Sequence, residues 1–183
     1  MYGLAKNYEA HARFMHDAGH SDIKHTPEDM VIFSKPSTSV IGSDDPIIYP
    51  AGSNDMNFEP EVAVVISSIT KNVTVENAMD YVLGFTCVND VTLRDLQGLD
   101  PMWTRAKSFD TFCPLSPWIM TRDDLNWRDA KISFTLNGKD VPMASSTTAN
   151  LIHGIPEQVA AISSFATLLP CAILRVRKSR ARD

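Results

Sequence analysis

Glu59 and Glu61 stand two residues apart in the run FEPEVAVVI. In an extended chain that spacing sends both carboxylates to one face, and Ala63 and Val65 continue the same face with small apolar side chains. Two carboxylates aimed at an interior cannot both stay ionised without compensation. A divalent cation is the usual remedy, and an oxygen-only ligand set favours Mg²⁺, Mn²⁺ or Ca²⁺ over Zn²⁺. An E-x-E pair alone is equally the pattern of a solvated strand face; Asp90 shifts the balance. It closes GFTCVND, where a chain leaving a core presents a side chain on a loop, and completes a set of three candidate ligands. Arg94 and Gln97 follow Asp90 at helical spacing. An arginine there suits a substrate carboxylate, the alternative being an ion pair with Asp95 or another surface acid. Lys107 opens KSFDTF, a turn-like hexamer that combines a cation, an aromatic wall and the hydroxyl of Thr111.

The elements that must position these groups can be read from period and punctuation. FEPEVAVVI has the continuous apolar half of a strand buried on both faces, and GFTCVND is a second strand, followed by a helical turn over TLRDLQ. Asn7 can cap a helix over residues 8–17, and Thr74 one over residues 75–81. PWIMT reads as a strand. Asn137-Gly138 supplies the positive-φ pair of a tight hairpin turn, and Pro156 opens an amphipathic helix to about Thr167. The expected fold is strand-rich α+β.

At 183 residues, 44% hydrophobic and 21% charged, the chain fits one domain with a sizeable core. No stretch approaches the roughly 20 apolar residues of a membrane span, and the opening MYGLAKNYEAHARF lacks the apolar core of a secretory signal. Three widely spaced cysteines argue against a disulfide framework and for a reducing, cytoplasmic setting. Cys87 and Cys113 sit in apolar or aromatic surroundings that suit inert thiols. The last nine residues, RVRKSRARD, carry a local charge of +4, so that the preceding 174 hold −9 of the overall −5. A body that acidic repels a phosphate backbone and suits a cation site better than a nucleic-acid groove. The basic end reads as a solvated terminus.

The order GLAKNYEAHA, FSKPSTSVIG, FEPEVAVVI, DYVLGFTCVNDVTLRDLQ, KSFDTFCPLSPWIMT and LNGKDVPMASSTTANLI resembles the fumarylacetoacetate hydrolase family from Gly3 to about Pro170. The resemblance implies a mixed β-sheet roll with a few short peripheral helices, a homodimer, and Mg²⁺ or Mn²⁺ chemistry on a small keto or diketo acid: hydrolysis, carbon–carbon cleavage, decarboxylation or isomerisation. It places the metal ligands on Glu59, Glu61 and Asp90, and substrate contacts on Arg94, Gln97, Thr111 and Thr147. Lys107 becomes a second positive group beside the reacting oxygens. His11, from NYxxHA, becomes a general base toward water.

Two departures qualify that picture. The acid that often follows the motif histidine by three residues is replaced here by Phe14, which cannot orient an imidazole. After Leu168-Leu169-Pro170 the chain reads CAILRVRKSRARD in place of the family's Gly-Asp strand and Thr-Gly-Thr-Pro turn. Residues 1–170 are therefore expected to form the catalytic domain, incomplete at its C-terminal end, and 171–183 a basic tail foreign to the family. These departures support an alternative, an impaired pseudoenzyme or fragment that keeps the metal site. A zinc site on His16 and His20 has helical spacing, but Gly19 interrupts it and no acidic base accompanies it.

Overall fold

A computed structural model describes residues 1–5, 7–8, 30–100, 102–142 and 145–176. The expected helix over 8–17 lies largely outside them, as do His11, Phe14, His16, His20 and residues 177–183. Fourteen strands are described. They are β1 (Tyr2–Ala5), β2 (Val31–Ser34), β3 (Val40–Ile41), β4 (Met56–Asn57), β5 (Pro60–Ile66), β6 (Val82–Asn89), β7 (Thr92–Leu93), β8 (Cys113–Pro114), β9 (Met120–Thr121), β10 (Lys131–Ile132), β11 (Thr135–Leu136), β12 (Lys139–Asp140), β13 (Ser146–Thr147) and β14 (Ile173–Val176). Three short α-helices accompany them among the described residues: α1 (Arg94–Leu99), α2 (Thr104–Lys107) and α3 (Ile155–Phe165).

The main sheet runs β2-β1-β14-β5-β6-β9. It is mixed, because β1 and β14 are parallel while the other pairs are antiparallel. Strand-rich α+β with short helices at the periphery is the architecture expected. Four of the seven residues of β5 are β-branched, which suits a pleated surface, and all seven of its positions are buried. The face bearing Val62, Val64, Ile66, Leu174 and Val176 packs against Ile155, Val159 and Ile162 of α3. Those three helix positions recur at spacings of four and three, the single apolar stripe of an amphipathic helix. The opposite face is shared by a small cluster of Ala63, Val88 and Cys113 and by the charged groups described below.

The end of the chain requires a correction. Residues 175–183 were expected to be a solvated terminus and 171–183 a basic tail foreign to the family, yet Ile173–Val176 is a central strand, paired with β1 on one side and β5 on the other. Cys171 and Ala172 are already hydrogen-bonded to Ile66. The physical reason is alternation. Leu174 and Val176 enter the helix-facing core, at up to roughly 1.5–3 kcal/mol for each fully buried side chain. That gain offsets bringing Arg175 in on the other face.

Local readings fared unevenly. Asn137 and Gly138 have φ of 51° and 74° and join β11 to β12 in a two-residue hairpin, as their types require. α3 begins at Ile155 with Pro156 in its first turn, as expected, and stops at Phe165. The helix that Asn7 was expected to cap lies largely outside the described residues. The Asn7 side chain exchanges hydrogen bonds with the backbone of His153. The helix expected from Thr74 shrinks to a 3₁₀ turn at Ala78–Tyr81.

Candidate metal centre

Glu59 precedes β5, Glu61 lies within it, and their two-residue spacing points both to the same face. The neighbouring strand brings in the third acid. The Asn89 side chain accepts from the Glu59 backbone N–H at 2.8 Å, and the Asp90 N–H donates to the Glu59 carbonyl at 2.9 Å. These bonds clasp the end of β6 to the start of β5 and set Asp90 beside the glutamates. One carboxylate oxygen from each of Glu59, Glu61 and Asp90 lies within 4.8 Å of the others, and all three residues are at most 1% exposed.

Three buried carboxyls this close demand cations, and four lie against them among the described residues. Lys107, the last residue of α2, donates to Glu59 Oε2 (2.8 Å), Asp90 Oδ2 (2.6 Å) and Thr92 Oγ1 (2.6 Å). Lys35, just past β2, donates to Asp90 Oδ1 at 2.6 Å and to the Phe112 carbonyl at 2.7 Å. Arg94 pairs through Nη2 with Glu59 Oε1 and donates through Nη1 to Gln97 Oε1 at 2.6 Å. Arg175 reaches Asp90 Oδ2 at 2.6 Å and Glu61 Oε2 at 3.3 Å. The Lys107 ammonium and the Arg175 guanidinium also lie 5.4 and 4.9 Å from the centre of the Phe33 ring, within cation–π reach.

Arg175 belongs here by register. It is opposite Ala63 on β5, which puts it on the Glu61 face and diagonal to that residue. Its other neighbour is Gly3 on β1. A Cβ at that position would crowd Arg175 Nη2 and sit 2.9 Å from the Phe33 ring, so any larger residue forces the guanidinium or the ring to shift. Gly3→Ala is expected to cost about 1–3 kcal/mol by overpacking. Thermal unfolding would show this as a lowered Tm, and an unchanged Tm would mean that the guanidinium yields freely.

The cations are shared unevenly, and the titration behaviour follows. Burial alone would raise the Asp90 carboxyl, but Arg175, Lys107 and Lys35 together hold it well below the usual carboxylate range. Burial pushes the Glu61 carboxyl up to about 8 against the pull of Arg175, with Asp90 and Glu59 adding to the rise. Glu61 thus gains little from its ion pair, because Arg175 sits nearer Asp90 (2.6 Å) than Glu61 (3.3 Å). Its other oxygen, Oε1, is buried without a hydrogen-bond partner. Burial, then the Glu61 charge, also raises the Tyr8 phenol, whose buried hydroxyl is likewise unpartnered.

A carboxyl whose folded pKa lies above its unfolded value holds a proton in the native state that the unfolded chain has released. Between pH 4.5 and about 8, Glu61 therefore makes the metal-free protein less stable as pH rises, by roughly 1 kcal/mol per pH unit. Urea unfolding of wild type and Glu61→Gln across that window is expected to show a shallower decline in the variant. Parallel profiles would contradict a protonated Glu61.

The expected site residues do not all converge. Glu59, Glu61, Asp90 and Lys107 form one buried cluster, and Arg94 joins it with Gln97 behind. Thr111 adopts a left-handed φ of 72°, and its hydroxyl accepts from the Ile48 N–H at 2.9 Å. Thr147 lies on the separate β10–β13 ladder and bonds Asp129. Cys113 is buried, with its thiol pushed up by burial, whereas Cys87 is exposed. Sequence reasoning missed Lys35, Thr92 and Arg175. Lys35 was within reach, since it stands in the FSKPSTSVIG motif. Arg175 was signalled only by a lone cation inside the apolar run ILRV.

The donor set fits a hard divalent cation. It consists of carboxylate oxygens alone, and one of them, Glu61 Oε1, is buried with nothing to bind. Residues 1–175 match the fumarylacetoacetate (FAA) hydrolase C-terminal family, a span that reaches into β14. The chain belongs to the fumarylacetoacetate hydrolase family. A relative from Archaeoglobus fulgidus is 51% identical over 142 residues, covering 78% of this chain and 55% of that protein. The chain thus spans little more than half the length of that family member. The crystal structure of 5-carboxymethyl-2-hydroxymuconate delta-isomerase from Mycobacterium smegmatis superposes with a TM-score of 0.83 at 39% identity, over 96% of this chain and 65% of that one. Fumarylpyruvate hydrolase from Pseudomonas aeruginosa, in complex with Mn²⁺ and pyruvate, superposes with a TM-score of 0.81 at 26% identity, over 96% and 75%.

Proposed function

We propose that this chain is a divalent-metal-dependent hydrolase or lyase of small keto or diketo acids. The observation that carries the reading is the buried convergence of Glu59, Glu61 and Asp90 with one carboxylate oxygen left unbonded. Mg²⁺ or Mn²⁺ is the favoured ion, supported by the all-oxygen ligand set and by the Mn²⁺ in the Pseudomonas aeruginosa hydrolase. When bound, such an ion supplies Lewis-acid polarisation of a keto carbonyl. The chain's own residues do the rest. Lys107 holds a fixed ammonium beside the same carboxylates, where it stabilises negative charge developing on substrate oxygen. Arg94 Nε, buried and unpartnered, and Gln97 serve the acid end of the substrate, with Thr111 and Thr147 as further contacts. His11 takes a proton from water. A homodimer suits the exposed apolar run Trp118-Ile119-Met120 at edge strand β9, and a cytoplasmic location suits three free cysteines.

The test is a coupled assay of Mg²⁺- or Mn²⁺-loaded protein on oxaloacetate, acylpyruvates and fumarylacetoacetate, with Glu61→Ala as control. Metal-dependent turnover that disappears in the control is the expected result. Mn²⁺ binding without turnover of any of them would favour the second reading, a pseudoenzyme that keeps the site. The Arg175 contacts with Glu61 and Asp90 support that alternative.

A further inference from the structure

The acidic cluster holds more positive charge than the three acids require: Lys35, Arg94, Lys107 and Arg175 face Glu59, Glu61 and Asp90 among the described residues. Arg175 is the member whose position is hardest to account for as a structural staple. It is fully buried, yet its Nε and Nη2 have no hydrogen-bond partner. Only Nη1 is engaged, and it is engaged with one oxygen each of Glu61 and Asp90, two of the three acids of the triad. Asp90 Oδ2 already accepts from Lys107 as well. A carboxylate offers about four lone-pair directions over its two oxygens, and at Asp90 the other oxygen is taken by Lys35. A dication and a guanidinium on one carboxylate pair compete for the same lone pairs and repel each other.

We infer that Arg175 is a built-in competitor for the divalent cation, seated on the Glu61–Asp90 side of the triad and displaced when metal binds. This rests on the metal-site reading above. The register of β14 supports it, since a strand pinned between β1 and β5 delivers the guanidinium to this place in every folded molecule. So does Gly3, whose missing side chain opens the space that the group fills. Metal affinity in the wild-type chain is therefore lower than the donor set alone would give. The partner-poor Nε and Nη2 make the guanidinium removable, because displacing it breaks hydrogen bonds through one nitrogen only, besides the contact with the Phe33 ring.

The test is Mn²⁺ binding, followed by the electron paramagnetic resonance signal of free Mn²⁺ and by calorimetry, on wild type, Arg175→Ala and Arg175→Gln. Both variants are expected to bind at least tenfold tighter than wild type and to gain a larger Mn²⁺-dependent rise in Tm. Equal affinity in all three would overturn the inference while leaving the metal site intact. No binding by any of them at millimolar Mn²⁺ would remove the metal site and the inference together. Arg175→Gln keeps a neutral donor of similar reach in case the alanine variant leaves too large a void. If both variants fold only when Mn²⁺ is added, the ion has taken over the guanidinium's role, as expected. If both stay unfolded with Mn²⁺ present, the ion cannot replace Arg175 and the inference fails.

Discussion

Replacing Asp90 with alanine is expected to cost about 3–5 kcal/mol of folding stability, the range for breaking a buried ion pair from one side. Asp90 is the hub of the cluster. It accepts from Lys35 at Oδ1 and from Lys107 and Arg175 at Oδ2, each at 2.6 Å, and none of these side chains touches solvent. Removing it takes the one described carboxylate from Lys35 and leaves Lys107 with Glu59 and Arg175 with the more distant Glu61, in a region that water does not reach and where each cation bears a desolvation penalty that a nearby anion offsets. The loss is a large share of the 5–15 kcal/mol by which most proteins are stable. Glu61→Gln should be far milder, because Glu61 shares only one cation and sits farther from it. Urea unfolding monitored by circular dichroism would measure both. A cost below about 1 kcal/mol for Asp90→Ala would show that the cations have other anchors.

The second large effect concerns turnover. Lys107→Met is expected to lower kcat on an acylpyruvate by about 10²–10³-fold at saturating Mn²⁺, the scale for losing one preorganised electrostatic group. Its ammonium is held in place by Glu59, Asp90 and Thr92, so no reorganisation is needed as charge develops. Methionine keeps much of the stem volume and removes the charge. Mn²⁺ affinity should hold or tighten, because a competing cation has left Asp90 Oδ2. A kcat within threefold of wild type would remove Lys107 from the reaction, while a collapse of Mn²⁺ binding would show it to be structural.

Much of this was legible along the chain. The period-2 spacing of Glu59 and Glu61, the Asn137-Gly138 turn and the Pro156 helix start depend on neighbours a few residues away, and each appears as expected. The ligand trio was readable because Asn89-Asp90 ends a strand that pairs with the one holding the glutamates. Arg94 shows where local reading stops. Its spacing suggested a substrate contact or a pairing with Asp95, and the fold gave its guanidinium to Glu59, 35 positions away.

The chain by itself therefore determined the strand and helix periods, the three acids and the family. Tertiary structure alone decided what balances those acids. Arg175 meets Glu61 across 114 positions, through a register set by β14 slipping between β1 and β5. An arginine near a basic terminus is more stable in water than in a core unless carboxylates wait opposite it. No local pattern records that they do, because the partners come together only when distant strands pair.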